Sequence, residues 1–239
     1  MVILMALAAG CSRQAGDPVT PTAPAPVTTP ATPAVPPTPE PEVPATARYR
    51  VVFDSTWTAA THPQDAPDNP HFSPPIGATH NANVAFWRDG GLASDGIRLM
   101  AEVGRTNPLD DEIRAAIAAG TAQNLFIGVG FSSPKTVSLD FDVSRTHPLV
   151  TMVTMVAPSP DWFAGVAGLP LFENGAWVQE RIIPVYPWDA GTDSGASFMS
   201  NDLATVPRQP IARISTAPFA VGGVVMPLGT FRFTRLGSS

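Results

Sequence analysis

Cysteine is almost missing from this sequence: Cys11 is the one thiol in 239 residues. No intramolecular disulfide can form, and a thiolate zinc cluster is excluded. Charge is scarce too, at 14% of residues, with a net charge of -6 and a pI near 5.1. No basic stripe exists to neutralise phosphates, which argues against nucleic acid as a partner. Histidine occurs only at His62, His71, His80 and His147, and none lies in an H-E-x-x-H motif. A G-x-S-x-G elbow and a glycine-rich phosphate loop are also lacking. His62 and His147 stand in T-H-P segments and His80 in T-H-N, which read as turn histidines with satisfied rings. His71 and His80 have no spacing that specifies a site with Ser73. Stability must come from a packed core, for which a hydrophobic fraction of 44% is adequate.

What the chain does have is strongly segregated. Val2–Ala9 is apolar but too short to span a bilayer, and Ala8-Ala9-Gly10-Cys11 places small residues directly before the cysteine. That pattern resembles a bacterial lipobox, so residues 1–11 read as a signal peptide whose Cys11 becomes acylated. Ser12 is compatible with sorting to an outer membrane. Many of the 28 prolines crowd into residues 12–45 with Thr, Ala and Val. Such a segment buries too little to offset its ordering entropy. It reads as a disordered tether, reaching on the order of 100 Å if extended at about 3.1 Å per residue.

The folded domain is expected over 46–239. Tyr49, Val51 and Phe53 alternate with Arg50, Val52 and Asp54, the signature of a first strand with one buried face. Thr58–Thr79, rich in Pro, His, Asp and Asn, reads as loop, and Asn81–Trp87 as a short strand or turn. One short helix is predicted over about 108–119. Asn107 would cap it, Pro108 would take its first position, Asp110, Asp111 and Glu112 would face its positive end, and Gly120 would stop it. Strands follow at Leu125–Val129 and at Thr136–Val143, where the period of two turns Asp140 and Asp142 away from the core. Leu149–Val156 is apolar on both faces, as in a central strand. Trp177–Val185, Ile211–Thr216 and the segment around Phe231 and Phe233 complete the set. Many short strands with one helix define an all-β class, an antiparallel β-sandwich.

Two turn-rich segments hold carboxylates among aromatics: PSPDWFAGV at Pro158–Val166 and YPWDAGTDSG at Tyr186–Gly195. Pro158 and Pro160 end an apolar strand there, and Gly191 and Gly195 permit a tight loop. By local pattern alone, Asp161 and Asp189 are either parts of a built site or simple turn caps. Trp162 and Phe163 must face opposite sides of a strand. One is expected in the core, and the other could lie exposed beside the site as a partner contact.

Both segments resemble the signature segments of the spondin domain, the amino-terminal module of the F-spondin and mindin family. Similar too are HFSPPIGATHN at His71–Asn81, AEVG at Ala101–Gly104, SRTHPLV at Ser144–Val150 and FTR at Phe233–Arg235, in one order from about Tyr49 to Leu236. The resemblance implies a sandwich like that of calcium-dependent lipid-binding domains and a divalent cation held by Asp142, Asp161 and Asp189. The family's first ligand is usually Glu, so Asp142 is one methylene shorter. Ca²⁺ suits irregular oxygen shells better than Mg²⁺, which requires a tight octahedron. Animal spondin domains usually contain cysteines, and this chain departs from them there. It also contains no RGD and no thrombospondin-type repeat, so integrin-type partners are not implied. The expectation is a non-enzymatic calcium-binding adhesion or interaction module for a protein or glycan ligand at the cell surface. It would be anchored through Cys11 to a bacterial envelope as an outer-membrane lipoprotein, or secreted. A hydrolase using metal-activated water, and a domain merely stabilised by calcium, are the alternatives.

Overall fold

The structure is a computed structural model that describes Gly16 and residues 42–237. The lipobox-like Cys11 and residues 12–41 of the expected tether, Gly16 apart, lie outside the described residues, and its last residues, 42–45, belong to the folded unit. The compact unit begins at Glu42.

The first strand, β1 (Thr46–Ser55), buries Ala47, Tyr49, Val51 and Phe53 and turns Arg48, Arg50 and Asp54 outward, as its alternation requires. Then come β2 (His71–Phe72), β3 (Ile76–His80), α1 (Asp95–Val103), α2 (Leu109–Ala118), β4 (Ala122–Ile127) and β5 (Phe131–Ser132). They lead into β6 (Lys135–Ser144), β7 (Leu149–Ala157) and β8 (Trp162–Pro170). A hairpin of β9 (Phe172–Glu173) and β10 (Ala176–Trp177) precedes β11 (Glu180–Val185) and β12 (Pro187–Asp189). The chain ends through β13 (Ala212–Arg213), the hairpin of β14 (Ala220–Val221) and β15 (Val224–Val225), and β16 (Gly229–Arg235).

All of these strand pairings are antiparallel. One sheet runs β11-β16-β1-β6. The other runs β13-β12-β8-β7-β2-β5, with β3 inserted between β7 and β4. Inward residues of both sheets form one core, among them Tyr49, Phe53, Phe231 and Phe233 from the first and Met152, Trp162 and Val166 from the second. The opposite face of the second sheet carries a separate core. There Val153, Met155 and Phe163 pack with Ile97 and Met100 of α1 and Leu109 and Ile113 of α2. A helical layer over one sheet of a sandwich explains why β7 is apolar on both faces: almost all of it is buried.

The same double coverage overturns part of the loop expected at 58–79. β2 and β3 are strands, and β3 is buried at all five positions. Small residues wanted on both faces leave no alternation to read. Gly77 shows why: a Cβ there would run into the Thr151 carbonyl oxygen and come within 2.6 Å of the Phe126 ring. His80 therefore ends a strand rather than occupying a turn, and Asn81–Trp87 forms turns and bends without a strand.

The expected helix is α2, but it is not alone. In α1, Ser94 Oγ caps the start by accepting from the Ile97 N–H at 3.1 Å, and Gly104, with φ of 68°, ends it. The capping of α2 also differs from expectation. Pro108 occupies the cap position without a side-chain bond, and the Asn107 amide donates to Asp110 and Asp111 instead of accepting.

Candidate functional site

The Pro158–Pro160 turn closes β7 and opens β8. Ser159 Oγ accepts from the Trp162 N–H at 3.1 Å, which fixes Asp161 at the strand's mouth. β12 lies alongside in a register that sets Asp189 opposite Trp162, and the Ala190 N–H donates to the Asp161 carbonyl at 3.2 Å. Gly191 then turns the chain with φ of 72°. Its Cβ position is blocked by the Gln209 carbonyl, so only glycine fits. The returning backbone points donors at Asp161. Oδ2 accepts from the N–H groups of Thr192 at 2.7 Å and Asp193 at 3.0 Å, and from the Thr192 hydroxyl at 3.1 Å.

Asp161 is wholly buried, yet its Oδ1 has no partner. Burial, then the negative charge of Asp189, push its pKa up to about 6 against the pull of the Thr192 and Asp193 donors. Asp189 is also raised, first by burial and further by Asp193, while the Gly191 N–H and the Trp162 side chain oppose the rise. Asp189 Oδ1 accepts from Gly191 N–H at 2.7 Å. Asp193 is engaged at both oxygens, by Gly195 N–H at 2.7 Å and Leu203 N–H at 2.8 Å. Two carboxylates held together, one with a bare oxygen, are the kind of oxygen donors that hard cations use.

The structure does not bring Asp142 to this pair. Alternation along β6 turns Asp140 and Asp142 outward, and β1 supplies an arginine opposite each: Arg48 to Asp142 at 3.1 Å and Arg50 to Asp140 at 2.7 Å. Among the described residues, no group of three or more His, Cys, Asp or Glu is arranged to hold a metal ion. The aromatic pair behaves differently from the expectation that one ring is exposed. Trp162 enters the inter-sheet core and Phe163 the helix-covered core, so neither reaches solvent.

The open surface beside the site comes from residues the sequence did not single out. A cleft of ≈ 480 Å³ is walled by Pro160, Thr192 and Asp193 on the site side. Val103 of α1 and Val206 face it from elsewhere, both exposed. Arg98 and Arg208 border it too, but they are paired, with Glu102 at 2.9 Å and Asp95 at 2.7 Å. No local pattern marks Val206; the cleft exists only because α1 packs over the second sheet.

The histidines are not assembled into a centre. His80 is buried, with Nδ1 donating to the Asn81 carbonyl and Nε2 accepting from the Thr151 hydroxyl, both at 2.8 Å. Ser73 Oγ accepts from the Met155 N–H at 2.9 Å. No helix among the described residues is long and apolar enough to cross a membrane.

A helix-backed antiparallel sandwich carrying a paired-aspartate turn defines the class of module. The Spondin_N family model matches residues 47–220, and the chain belongs to that family. It is 35% identical to Spondin-2 of Homo sapiens over 204 residues, covering 80% of this chain and 58% of that protein. It is likewise 35% identical to Spondin-1 of Mus musculus over 180 residues, covering 72% of this chain and 22% of that protein. Spondin-1 of Xenopus laevis is 30% identical over 206 residues. The match thus spans between about a fifth and three fifths of these relatives' lengths.

Proposed function

We propose that the chain is a non-enzymatic, calcium-binding interaction or adhesion module of the spondin type. It works outside the cytoplasm, held to a bacterial envelope by an acylated Cys11 and a proline-rich tether, or released from it. The observation that carries the metal assignment is the buried, bare Oδ1 of Asp161 beside Asp189. Asp161 and Asp189 supply the carboxylates, and backbone carbonyls and water complete an irregular shell, which favours Ca²⁺ over Mg²⁺. Asp142 could join only by giving up Arg48. The partner is a protein or glycan at the cell surface, and the cleft with exposed Val103 and Val206 is the face that suits it. Net charge speaks against nucleic acid. Hydrolysis by a metal-activated water is the second reading. The adjoining cleft favours it, and the full burial of Asp161 does not.

Thermal unfolding of the full chain in EDTA and then in millimolar Ca²⁺ tests the metal. Occupancy at a hundred times Kd would stabilise the native state by about 2.7 kcal/mol, raising Tm by roughly 5–10 °C. The shift is expected to vanish in Asp161→Asn and Asp189→Asn and to survive in Asp142→Asn. No shift, together with no metal by elemental analysis, would sink the calcium assignment.

A further inference from the structure

At one side of the sandwich β6 ends the first sheet, and β4 and β5 end the two branches of the second. Between them lies a cavity of ≈ 430 Å³, far from the paired aspartates in sequence and sharing no lining residue with the cleft beside them. Its walls are Val51 and Phe53 of β1, Val137 and Leu139 of β6, Phe131 of β5 and Met152 of β7. Val137 and Leu139 point inward by the strand's alternation and pack against the inter-sheet core, but remain only half-buried. The space opens at the surface, and water finds few polar partners among such apolar walls.

The rim is as specific as the walls. The Gly128-Val129-Gly130 link between β4 and β5 crosses it, with Val129 82% exposed and Ile127 also exposed. Lys135, the only lysine in the sequence, stands at the mouth. It takes part in no ion pair among the described residues, although seven arginine–carboxylate pairs form elsewhere. In a chain of net charge -6, one unpaired ammonium beside an apolar hole selects a ligand with an apolar body and a single anionic end.

We propose that this cavity binds the chain of a free long-chain aliphatic carboxylate, with the hydrocarbon between the sheets and the carboxylate paired to Lys135. The site is independent of the metal.

Fluorescence titration of the full chain with cis-parinaric acid, in EDTA, tests it. Saturable binding of one equivalent is expected, displaced by laurate. Leu139→Trp, which fills the cavity, should abolish binding while the circular dichroism spectrum stays that of the wild type. Lys135→Glu, on the surface, should weaken laurate about tenfold and leave displacement by dodecan-1-ol unchanged, a fold-change of the size an exposed charge pair gives when reversed. Absence of saturable binding, or equal laurate affinity in wild type and Lys135→Glu, would overturn the proposal. The second variant decides the outcome even if Leu139→Trp fails to fold.

Discussion

Three donors converge on Asp161 Oδ2 and none reaches Oδ1. Hydrogen bonds alone cannot hold a second carboxylate comfortably beside it, because like charges in a desolvated site raise the cost of ionising both. In the metal-free protein the pKa of Asp161 lies above its unfolded value, at about 6. The folded state therefore holds the proton more tightly than the unfolded chain. Its contribution to stability is fully present below a pH of about 3.9 and is lost as the pH rises through about 6. Asp161→Asn keeps an acceptor for the Thr192 and Asp193 donors and adds an N–H₂ that can face Asp189. Measured by urea denaturation in EDTA, the stability of wild type relative to Asp161→Asn should fall by on the order of 2 kcal/mol between pH 4 and pH 7. His62 and His80 are depressed by burial and act in the opposite sense, but they are common to both proteins and cancel in the difference. Parallel profiles would show that Asp161 does not titrate in this range. The Ca²⁺ shift should also be smaller at pH 5 than at pH 7, since the metal must displace the proton.

Among the elements, α1 and α2 stabilise each other's ends. Glu112 of α2 accepts from the Gly96 N–H at 2.7 Å and from the Ser94 hydroxyl at 2.7 Å, so a carboxylate sits at the positive end of α1. A Cβ on Gly96 would come within 2.7 Å of Glu112 Oε2 and of the Leu109 Cα, so the contact requires glycine. Ser94→Ala removes the cap and the Glu112 partner together and should cost about 1–2 kcal/mol in denaturant unfolding. The double variant with Glu112→Gln should cost less than the sum of the two singles, which a double-mutant cycle measures. Strict additivity would mean that the two side chains act separately. The periodicity of α2 was plain in the sequence. The stripe of Ile97, Met100 and Ala101 in α1 was equally regular, with Ser94 before it and Gly104 after it, but it is short and contains Gly96, a poor helix former. Its stability comes from the partner helix and from the sheet beneath.

At the scale of the whole molecule, the compact unit starts before its first strand. Val43 packs against the core, the Pro44 carbonyl accepts from Trp177 Nε1 at 2.9 Å, and the Ala45 carbonyl accepts from the Arg145 N–H at 2.9 Å. A chain truncated to begin at residue 46 should unfold at lower urea than one beginning at residue 42, by about 1 kcal/mol, because the Trp177 indole loses its partner. Equal midpoints would make residues 42–45 dispensable.

The all-β class, the inward faces of β1, β6 and β16, the central place of β7 and the helix α2 were all legible in the amino-acid order. Each of these is written in a local period, and burial on one side or on both is what such a period records. That order also marked the turn that holds Asp161 and the Gly191 turn that follows Asp189, although Asp189 itself ends β12, because proline and glycine act on the backbone where they stand. It took the packed fold to make β2 and β3 strands, since burial on both faces erases alternation and a two-residue strand has none. The packed fold alone separated Asp142 from Asp161 and Asp189. The outward face of β6 meets arginines from β1, a strand 94 residues away in the case of Arg48 and Asp142, and no local pattern records a cross-strand partner at that distance. It also left an apolar pocket between β5 and β6, because filling depends on the summed fit of two sheets rather than on any one strand.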